Sequence, residues 1–143
     1  MIHLTMNHRI LHALERHTIR PTPMRMLVLE HFLQQRSAQS LAELEAAMPR
    51  ADRITIYRTL KVFVEKGVLH QVEDGAGASR YALCQDACEE GKHRDFHPHF
   101  HCTVCGRTVC LDAVHLTAPS LPAGYRLSEV EMTVRGVCPD CAR

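Results

Sequence analysis

The sequence predicts an α+β protein whose first half is helical and whose second half is built from short strands. Three observations support this prediction. Apolar residues recur at helical spacing through residues 1–66, two strand-like segments then flank a turn-rich loop, and all seven cysteines lie in the last 60 residues. Helical spacing and short apolar runs bounded by turn residues are the respective signals of helices and strands.

The helices of residues 1–66 are marked by their caps. An apolar stripe at 7–17 predicts the first helix. Thr22-Pro23 starts the second, because Thr is a good N-cap and Pro fits the first helical position. Ser40 and Glu43 have the spacing of a capping box before the third helix, and Asp52 can cap the fourth.

The fourth helix is expected to run to about Lys66, because Gly67 is a typical residue just after a helix. Ile56, Leu60 and Phe63 share one of its faces, so we expect that face to point into the core.

Strands and turns are expected beyond this helix. Residues 68–72 and 80–83 flank a loop rich in Gly, Asp and Ser, which predicts a hairpin, and the polar residues 85–95 predict a linker. Three further strands are expected around 98–103, 107–111 and 125–135, the last after a turn at 121–124.

Composition excludes several classes of protein. Lys and Arg number 17 against 16 Asp and Glu, so the net charge of +1 fits neither a strongly basic coat protein nor an acidic disordered tail. Residues 1–83 carry 11 basic against 8 acidic side chains, and residues 84–143 carry 6 against 8. We expect no membrane partner and a cytoplasmic location, because no apolar run approaches the roughly 20 residues of a membrane span and no secretory signal is evident. An odd number of cysteines argues for reduced, metal-bound thiols rather than a secreted disulfide framework.

Three helices followed by a hairpin are the outline of a winged helix. The third and fourth helices are joined by the short segment 49–51, as in helix-turn-helix units, so the fourth would enter the major groove of DNA. Its outward positions are predicted to be Thr55, Arg58, Thr59 and Val62, with Tyr57 and Lys61 adjacent. An ordinary solvated helix face explains this pattern equally well.

Two Cys-x-x-Cys pairs give the clearest chemical signal. Cys102 with Cys105 and Cys138 with Cys141 supply the four thiolates of a tetrahedral structural zinc site. The 32 residues between the pairs exceed the usual spacing of about 15–20, so a small strand unit must fold between them. Reduced core thiols or redox pairs are the alternatives.

A second set of cysteines and histidines remains: Cys84, Cys88, His93, His97, His99, His101, Cys110 and His115. His97 and His99 alternate along an extended segment and point to one side, which His101 would share in a regular strand. We favour metal binding for four of these residues, His97, His99, Cys84 and Cys110, and a surface or core role for Cys88, His93 and His115. Imidazole and thiolate suit zinc, whereas iron(II) and manganese(II) sites rely more on carboxylates.

Four stretches together resemble the ferric uptake regulator family of bacterial metal-responsive repressors: residues 20–29, 55–60, 97–106 and 136–141. The resemblance covers nearly the whole chain, in the family's order. It implies a winged-helix DNA-binding domain at 1–84, a hinge at 85–96 and a zinc-containing αβ dimerisation domain at 97–143.

The resemblance also implies residue roles. Tyr57 and Arg58 match the family's base-reading pair, and Arg20 matches the basic residue that reaches the minor groove. The structural zinc cysteines fall on Cys102, Cys105, Cys138 and Cys141. The sensing site lies at the hinge, where its His-x-His falls on His97 and His99 and its later acidic ligand falls on Cys110.

Two departures from the family's iron and peroxide sensors favour zinc. Gln39 stands where those sensors carry a histidine, and Cys110 stands where they carry a carboxylate. The segments around His70 and Cys84 look like those that zinc-uptake regulators use for sensing. We therefore expect a zinc sensor built from His70, Cys84, Cys110 and one of the two histidines of His-x-His. The helix that usually follows the second strand of the dimerisation domain is expected to be short, because prolines interrupt it.

The sequence thus predicts a homodimeric, metal-dependent repressor of metal-uptake genes that binds palindromic double-stranded DNA, has no small-molecule substrate and is not an enzyme. Its cofactors would be structural Zn²⁺ and a regulatory metal, for which Zn²⁺ is favoured over Fe²⁺ or Mn²⁺. One alternative is a peroxide sensor in which Cys84 and Cys110 are oxidised. A zinc hydrolase is a distant alternative, because the sequence offers no clear general base beside a three-ligand set.

Overall fold

A computed structural model describes residues 2–35, 37–73, 79–83, 98–111, 114, 117, 119–128 and 130–143. These residues form four helices and six strands: α1 (Ile2–Arg16), α2 (Pro23–Gln34), β1 (Gln39–Ser40), α3 (Leu41–Ala47), α4 (Arg53–Glu65), β2 (Leu69–Glu73), β3 (Ser79–Leu83), β4 (His99–Cys102), β5 (Thr108–Cys110) and β6 (Thr133–Gly136). Among them no helix has the length and apolar character that a membrane span needs.

The predicted caps of α2 and α3 are confirmed. The Thr22 side chain accepts a hydrogen bond from the backbone N–H of Arg25, and Pro23 opens α2. At α3, the Ser40 hydroxyl accepts from the N–H of Glu43 at 3.2 Å, and the Glu43 carboxylate accepts from the N–H of Ser40 at 2.8 Å. These bonds satisfy backbone donors that a helix start leaves unpaired.

The boundaries of α4 also follow from its sequence. The Asp52 carboxylate accepts from the N–H groups of Ile54 and Thr55, and Gly67 adopts a φ of 80° just beyond the helix. The inward face is fully buried, as expected: Ile56, Leu60 and Phe63. It packs in one core with side chains of the other helices, including Leu14, Val28, Phe32 and Leu44.

The hairpin is part of a three-stranded antiparallel sheet with the order β1-β3-β2. Leu69 lies opposite Leu83, and Glu73 lies opposite Ser79, close to the predicted hairpin bounds. The sequence did not predict β1, which pairs Gln39 with Tyr81. Two residues carry no periodic signal, so this strand is defined by its partner rather than by its own sequence.

The second sheet has the order β5-β4-β6, with β4 antiparallel to β5 and parallel to β6. The prediction of a strand at 125–135 is wrong about its start, because β6 begins only at Thr133. The reason is its partner: β4 has four residues and therefore pairs with only four residues of β6. The predicted turn before it is confirmed by Gly124, with a φ of 91°. The segment expected to hold a shortened helix lies largely outside the described residues.

The two faces of α4 predict contrasting stability effects. Leu60→Ala should lower the free energy of unfolding by about 2–5 kcal/mol, because it leaves a cavity in the core. Ile54→Ala, on the exposed face, should change it by less than about 0.5 kcal/mol. Urea unfolding of the zinc-loaded protein measures both, and equal losses would contradict the assigned helix phase.

Candidate metal centres and nucleic-acid interface

The structure brings the two Cys-x-x-Cys pairs together. The Sγ atoms of Cys102, Cys105, Cys138 and Cys141 all lie within 4.8 Å of one another, and those of Cys105 and Cys138 are 3.9 Å apart. A tetrahedral ion with Zn–S bonds of about 2.3 Å places two sulfurs about 3.8 Å apart. The four thiols therefore fit a structural zinc ion in number, element and spacing. We call them the four-cysteine cluster.

Parallel pairing of β4 with β6 explains how pairs so distant in sequence meet. Cys102 lies opposite Gly136, so Cys138 follows two residues beyond the end of the shared ladder. A side chain on Gly136 would be crowded, because an added Cβ would lie 3.3 Å from the Phe100 ring. Gly106, with a φ of 74°, closes the first Cys loop by donating its N–H to the Cys102 carbonyl.

Backbone groups prepare one thiolate of the four-cysteine cluster. The N–H groups of Cys105 and Cys138 hold the pKa of Cys102 at about 6, and the Cys138 N–H lies 3.4 Å from its sulfur. The Cys138 thiol, with burial, raises the pKa of Cys141 to about 12. Cys102 thus loses its proton more easily than Cys141 does.

A second group of ligand atoms lies between the two sheets. His70 of β2, His99 of β4 and Cys110 of β5 have ligand atoms within 4.8 Å of one another. The Cys110 sulfur is 3.4 Å from His70 Nε2, and the two imidazole rings stand at 84° with centroids 5.2 Å apart. Tetrahedral zinc with its usual bond lengths separates such an N and S by about 3.5 Å. We call this set the inter-sheet cluster.

The inter-sheet cluster joins the helical half of the chain to the C-terminal sheet. The Cys110 side chain packs against a small apolar group formed by Ala38, Val72 and Ala82. Two residues before Cys110, the Thr108 carbonyl accepts a 2.6 Å hydrogen bond from the Ala38 N–H. The contact therefore combines a backbone hydrogen bond, apolar packing and three metal-binding side chains.

The segment after Ala38 connects this contact to the helix-turn-helix. The Arg80 guanidinium lies 3.0 Å from both carboxylate oxygens of Glu43, the capping-box residue of α3, and 3.5 Å from the Ala38 carbonyl. Arg80 pairs with Ser40 across β1 and β3. The start of α3 is thus held to the sheet that contains His70.

The predicted sensing residues have different outcomes. His70, His99 and Cys110 come together, whereas Cys84 and His97 lie outside the described residues, as do Cys88, His93 and His115. His101 is on β4, with Nδ1 3.0 Å from the Thr108 hydroxyl. Gln39, which replaces the histidine of the iron sensors, contacts His31 Nε2 through its carbonyl oxygen and donates to the Ser37 carbonyl.

The predicted DNA-facing residues lie partly at the surface. Tyr57, Arg58 and Lys61 of α4 are exposed, with the Lys61 ammonium 5.7 Å from the Tyr57 ring centroid. Arg20, just before α2, is exposed as well. Thr55 is half-buried, and its hydroxyl donates to the Asp52 carboxylate, which lowers the pKa of Asp52.

Thr59 and Val62 require a correction. Thr59 is only 6% exposed, and its hydroxyl donates to the Thr55 carbonyl inside the helix. Val62 is half-buried and packs against the core. The outward stripe instead begins at Ile54, which was not among the predicted outward residues and which is 62% exposed. The helical spacing of Ile54 from Tyr57, Arg58 and Lys61 could have identified it.

The described residues thus combine a winged helix, with Arg58 and Lys61 exposed on its last helix, and two clusters of thiol and imidazole groups. The model of the ferric uptake regulator family matches residues 16–134, and the chain belongs to this family. The fold class predicted from the sequence is confirmed.

The relatives that this chain resembles carry the names of different regulators. The transcriptional regulator FurA of Mycobacterium tuberculosis is 29% identical over 100 residues, which are 67% of this chain and 63% of that protein. The peroxide operon regulator of Bacillus subtilis is 26% identical over 142 residues, covering 93% of this chain and 91% of the relative. A solved zinc uptake regulator complexed with zinc and DNA superposes with a TM-score of 0.69 at 24% identity, covering 96% and 95% of the two chains. This likeness shows the shared fold.

The four-cysteine cluster generates a prediction about stability. Cys102→Ser or Cys138→Ser should remove about one zinc per chain and unfold the C-terminal sheet, because a structural zinc ion supplies folding free energy. Elemental analysis and near-UV circular dichroism measure the two effects. Cys110→Ser is the matched control and should keep this zinc. Full zinc content with native structure in the first two variants would contradict the assignment.

Proposed function

We propose that this protein is a zinc-responsive transcriptional repressor that acts as a homodimer on palindromic operators of metal-uptake genes. The observation that carries the proposal is the inter-sheet cluster, because its three ligands come from both halves of the chain. A metal bound there would hold the DNA-binding helices in one arrangement relative to the C-terminal sheet.

The donor atoms favour zinc as the sensed metal. Two imidazole nitrogens and one thiolate form a softer set than the carboxylate-rich sites that suit iron(II) and manganese(II). The sequence offers Cys84, at the end of the hairpin, as the fourth ligand, and His97 as a further candidate. A second thiolate would strengthen the preference for zinc.

The response to metal is a shift of population. A ligand changes a conformational equilibrium only by its difference in affinity for the two states. Zinc would bind the closed arrangement, in which Cys110 faces His70, more tightly than any open one. The Ala38–Thr108 hydrogen bond and the Arg80–Glu43 ion pair then connect this closure to the start of α3.

DNA recognition is assigned to α4 and Arg20. The exposed Tyr57, Arg58 and Lys61 provide a base-reading pair and a cation for phosphate, and Thr55 lies beside them. Arg20 would reach the minor groove next to the winged helix. Thr59 has no part in this interface because it is buried.

Dimerisation is assigned to the C-terminal unit, within the proposed division of the chain into 1–84, 85–96 and 97–143. Among the described residues, β6 lies at the edge of its sheet, and Val134 on it is exposed. Nearby in sequence, Met132 and Val137 are exposed, and Tyr125 is 71% exposed. An exposed edge strand with apolar neighbours is the type of surface that a second copy can cover.

Peroxide sensing is the second candidate, favoured by the Bacillus subtilis relative that aligns along most of the chain. In that case mild peroxide should abolish DNA binding and release metal, with oxidation at Cys84 or Cys110. Retention of zinc and of DNA binding under the same treatment would support zinc sensing.

Loss of one sensing ligand should change only the metal response. Cys110→Ser should leave the zinc of the four-cysteine cluster and the dimer intact. It should raise the zinc concentration needed for DNA binding by about tenfold or more, because mutations at a metal site lower its metal affinity. Zinc-titrated fluorescence anisotropy with labelled DNA measures this. An unchanged titration midpoint would exclude the Cys110 thiol as a ligand and would favour iron(II) or manganese(II) as the sensed metal.

Arg58 and Arg20 should affect DNA binding in different ways. Arg58→Ala should weaken specific binding by about 1–3 kcal/mol and relax the preference at one base pair. Arg20→Ala, if Arg20 lies in the minor groove, should weaken binding and reduce the salt slope by about one. Affinities measured at several salt concentrations distinguish the two, and wild-type affinity in both variants would place the interface elsewhere.

A further inference from the structure

The outward face of α4 begins with an aliphatic side chain. Residues spaced by three and four along a helix share a stripe. The exposed stripe consists of Ile54, Tyr57, Arg58 and Lys61, and the stripe two residues further on is buried: Ile56, Thr59, Leu60 and Phe63. Ile54 thus stands in line with the residues assigned to base reading, in the first turn of the helix.

The stability of the protein does not explain an isoleucine at this position. Ile54 belongs to neither of the buried clusters, and its backbone N–H would donate to the Asp52 carboxylate with any side chain in its place. A β-branched residue is only a moderate helix former, and the first turn of a helix favours acidic residues. The Ile54 side chain is therefore available for a contact outside the chain.

We propose that Ile54 is a specificity-determining residue that recognises the 5-methyl group of a thymine in the major groove. This inference rests on the proposed DNA binding. Residues at the N-terminus of a recognition helix contact base edges, and the thymine methyl is the apolar group that the major groove presents. Arg53, the preceding residue, pairs with Glu45 at 2.8 Å, and Ile54 is the first apolar residue of α4 and is exposed.

The helix geometry sets the position of this thymine. Ile54 and Arg58 are four residues apart, or about 6 Å along the helix axis at about 1.5 Å per residue. Base pairs are stacked about 3.4 Å apart, so the two side chains reach positions separated by about two base pairs or fewer. The thymine should accordingly lie within about two base pairs of the base that Arg58 contacts.

The experiment begins with selection of duplexes from a random library by the zinc-loaded wild-type protein. Each conserved thymine of the selected duplex is then replaced by deoxyuracil, which removes only the methyl group. One replacement should weaken wild-type binding about fourfold, the effect of one buried methyl-sized group. Ile54→Ala should bind the thymine duplex about as weakly and should show no further loss with deoxyuracil.

Two controls distinguish failure of the Ile54–thymine contact from failure of the proposed DNA binding. Leu27→Ala truncates another exposed aliphatic residue, on α2, and should respond to deoxyuracil as the wild type does. If wild-type protein selects no sequence at all, the proposed operator binding fails and the inference fails with it. If a sequence is selected and Arg58→Ala weakens its binding, but deoxyuracil affects wild type and Ile54→Ala equally, the inference alone is overturned.

Discussion

The junction between β5 and Ala38 connects the C-terminal sheet to the helical half of the chain. One short strand there supplies the Thr108 carbonyl to the Ala38 N–H and, two residues later, the Cys110 thiol to His70. Ala38 immediately precedes β1 and the capped start of α3. A change at Cys110 is therefore separated from the helix-turn-helix by only a few covalent and hydrogen bonds.

A metal ion at the four-cysteine cluster would compensate for the small size of the C-terminal sheet. Among its described residues, full burial is limited to a few, notably Cys102 and Thr108, whereas the helical half has a continuous apolar core. Units with so little core generally need a metal, disulfides or a partner chain to be stable. The two clusters differ in position: the four-cysteine cluster lies at one end of a single sheet, and the inter-sheet cluster has ligands from two sheets. The first suits a structural role and the second a regulatory one.

Much of the fold could be predicted because its signals are local. Caps at Thr22, Ser40 and Asp52 fixed three helix starts, and two Cys-x-x-Cys pairs indicated which thiols would meet. What the sequence could not provide was the result of packing. The strand β1 exists because β3 lies beside it, β6 is short because β4 is short, and Thr59 is buried because the core covers a wider arc of α4 than its apolar residues indicate. Which histidine lies beside His70, in this protein His99, likewise depends on how the two sheets approach each other.

Amide hydrogen exchange at Ala38 measures whether metal at the inter-sheet cluster closes the junction. With the four-cysteine cluster loaded, the exchange rate of this N–H is measured by NMR before and after a second equivalent of zinc, with the Leu29 amide in the core of α2 as an internal reference. If zinc at the inter-sheet cluster closes the junction, the second equivalent should slow exchange at Ala38 by about tenfold or more, which corresponds to about 1.4 kcal/mol of stabilisation. The Leu29 rate should change far less, and Cys110→Ser should abolish the effect at Ala38. Equal rates at Ala38 before and after the second equivalent would contradict the account, because the junction would then be independent of the metal.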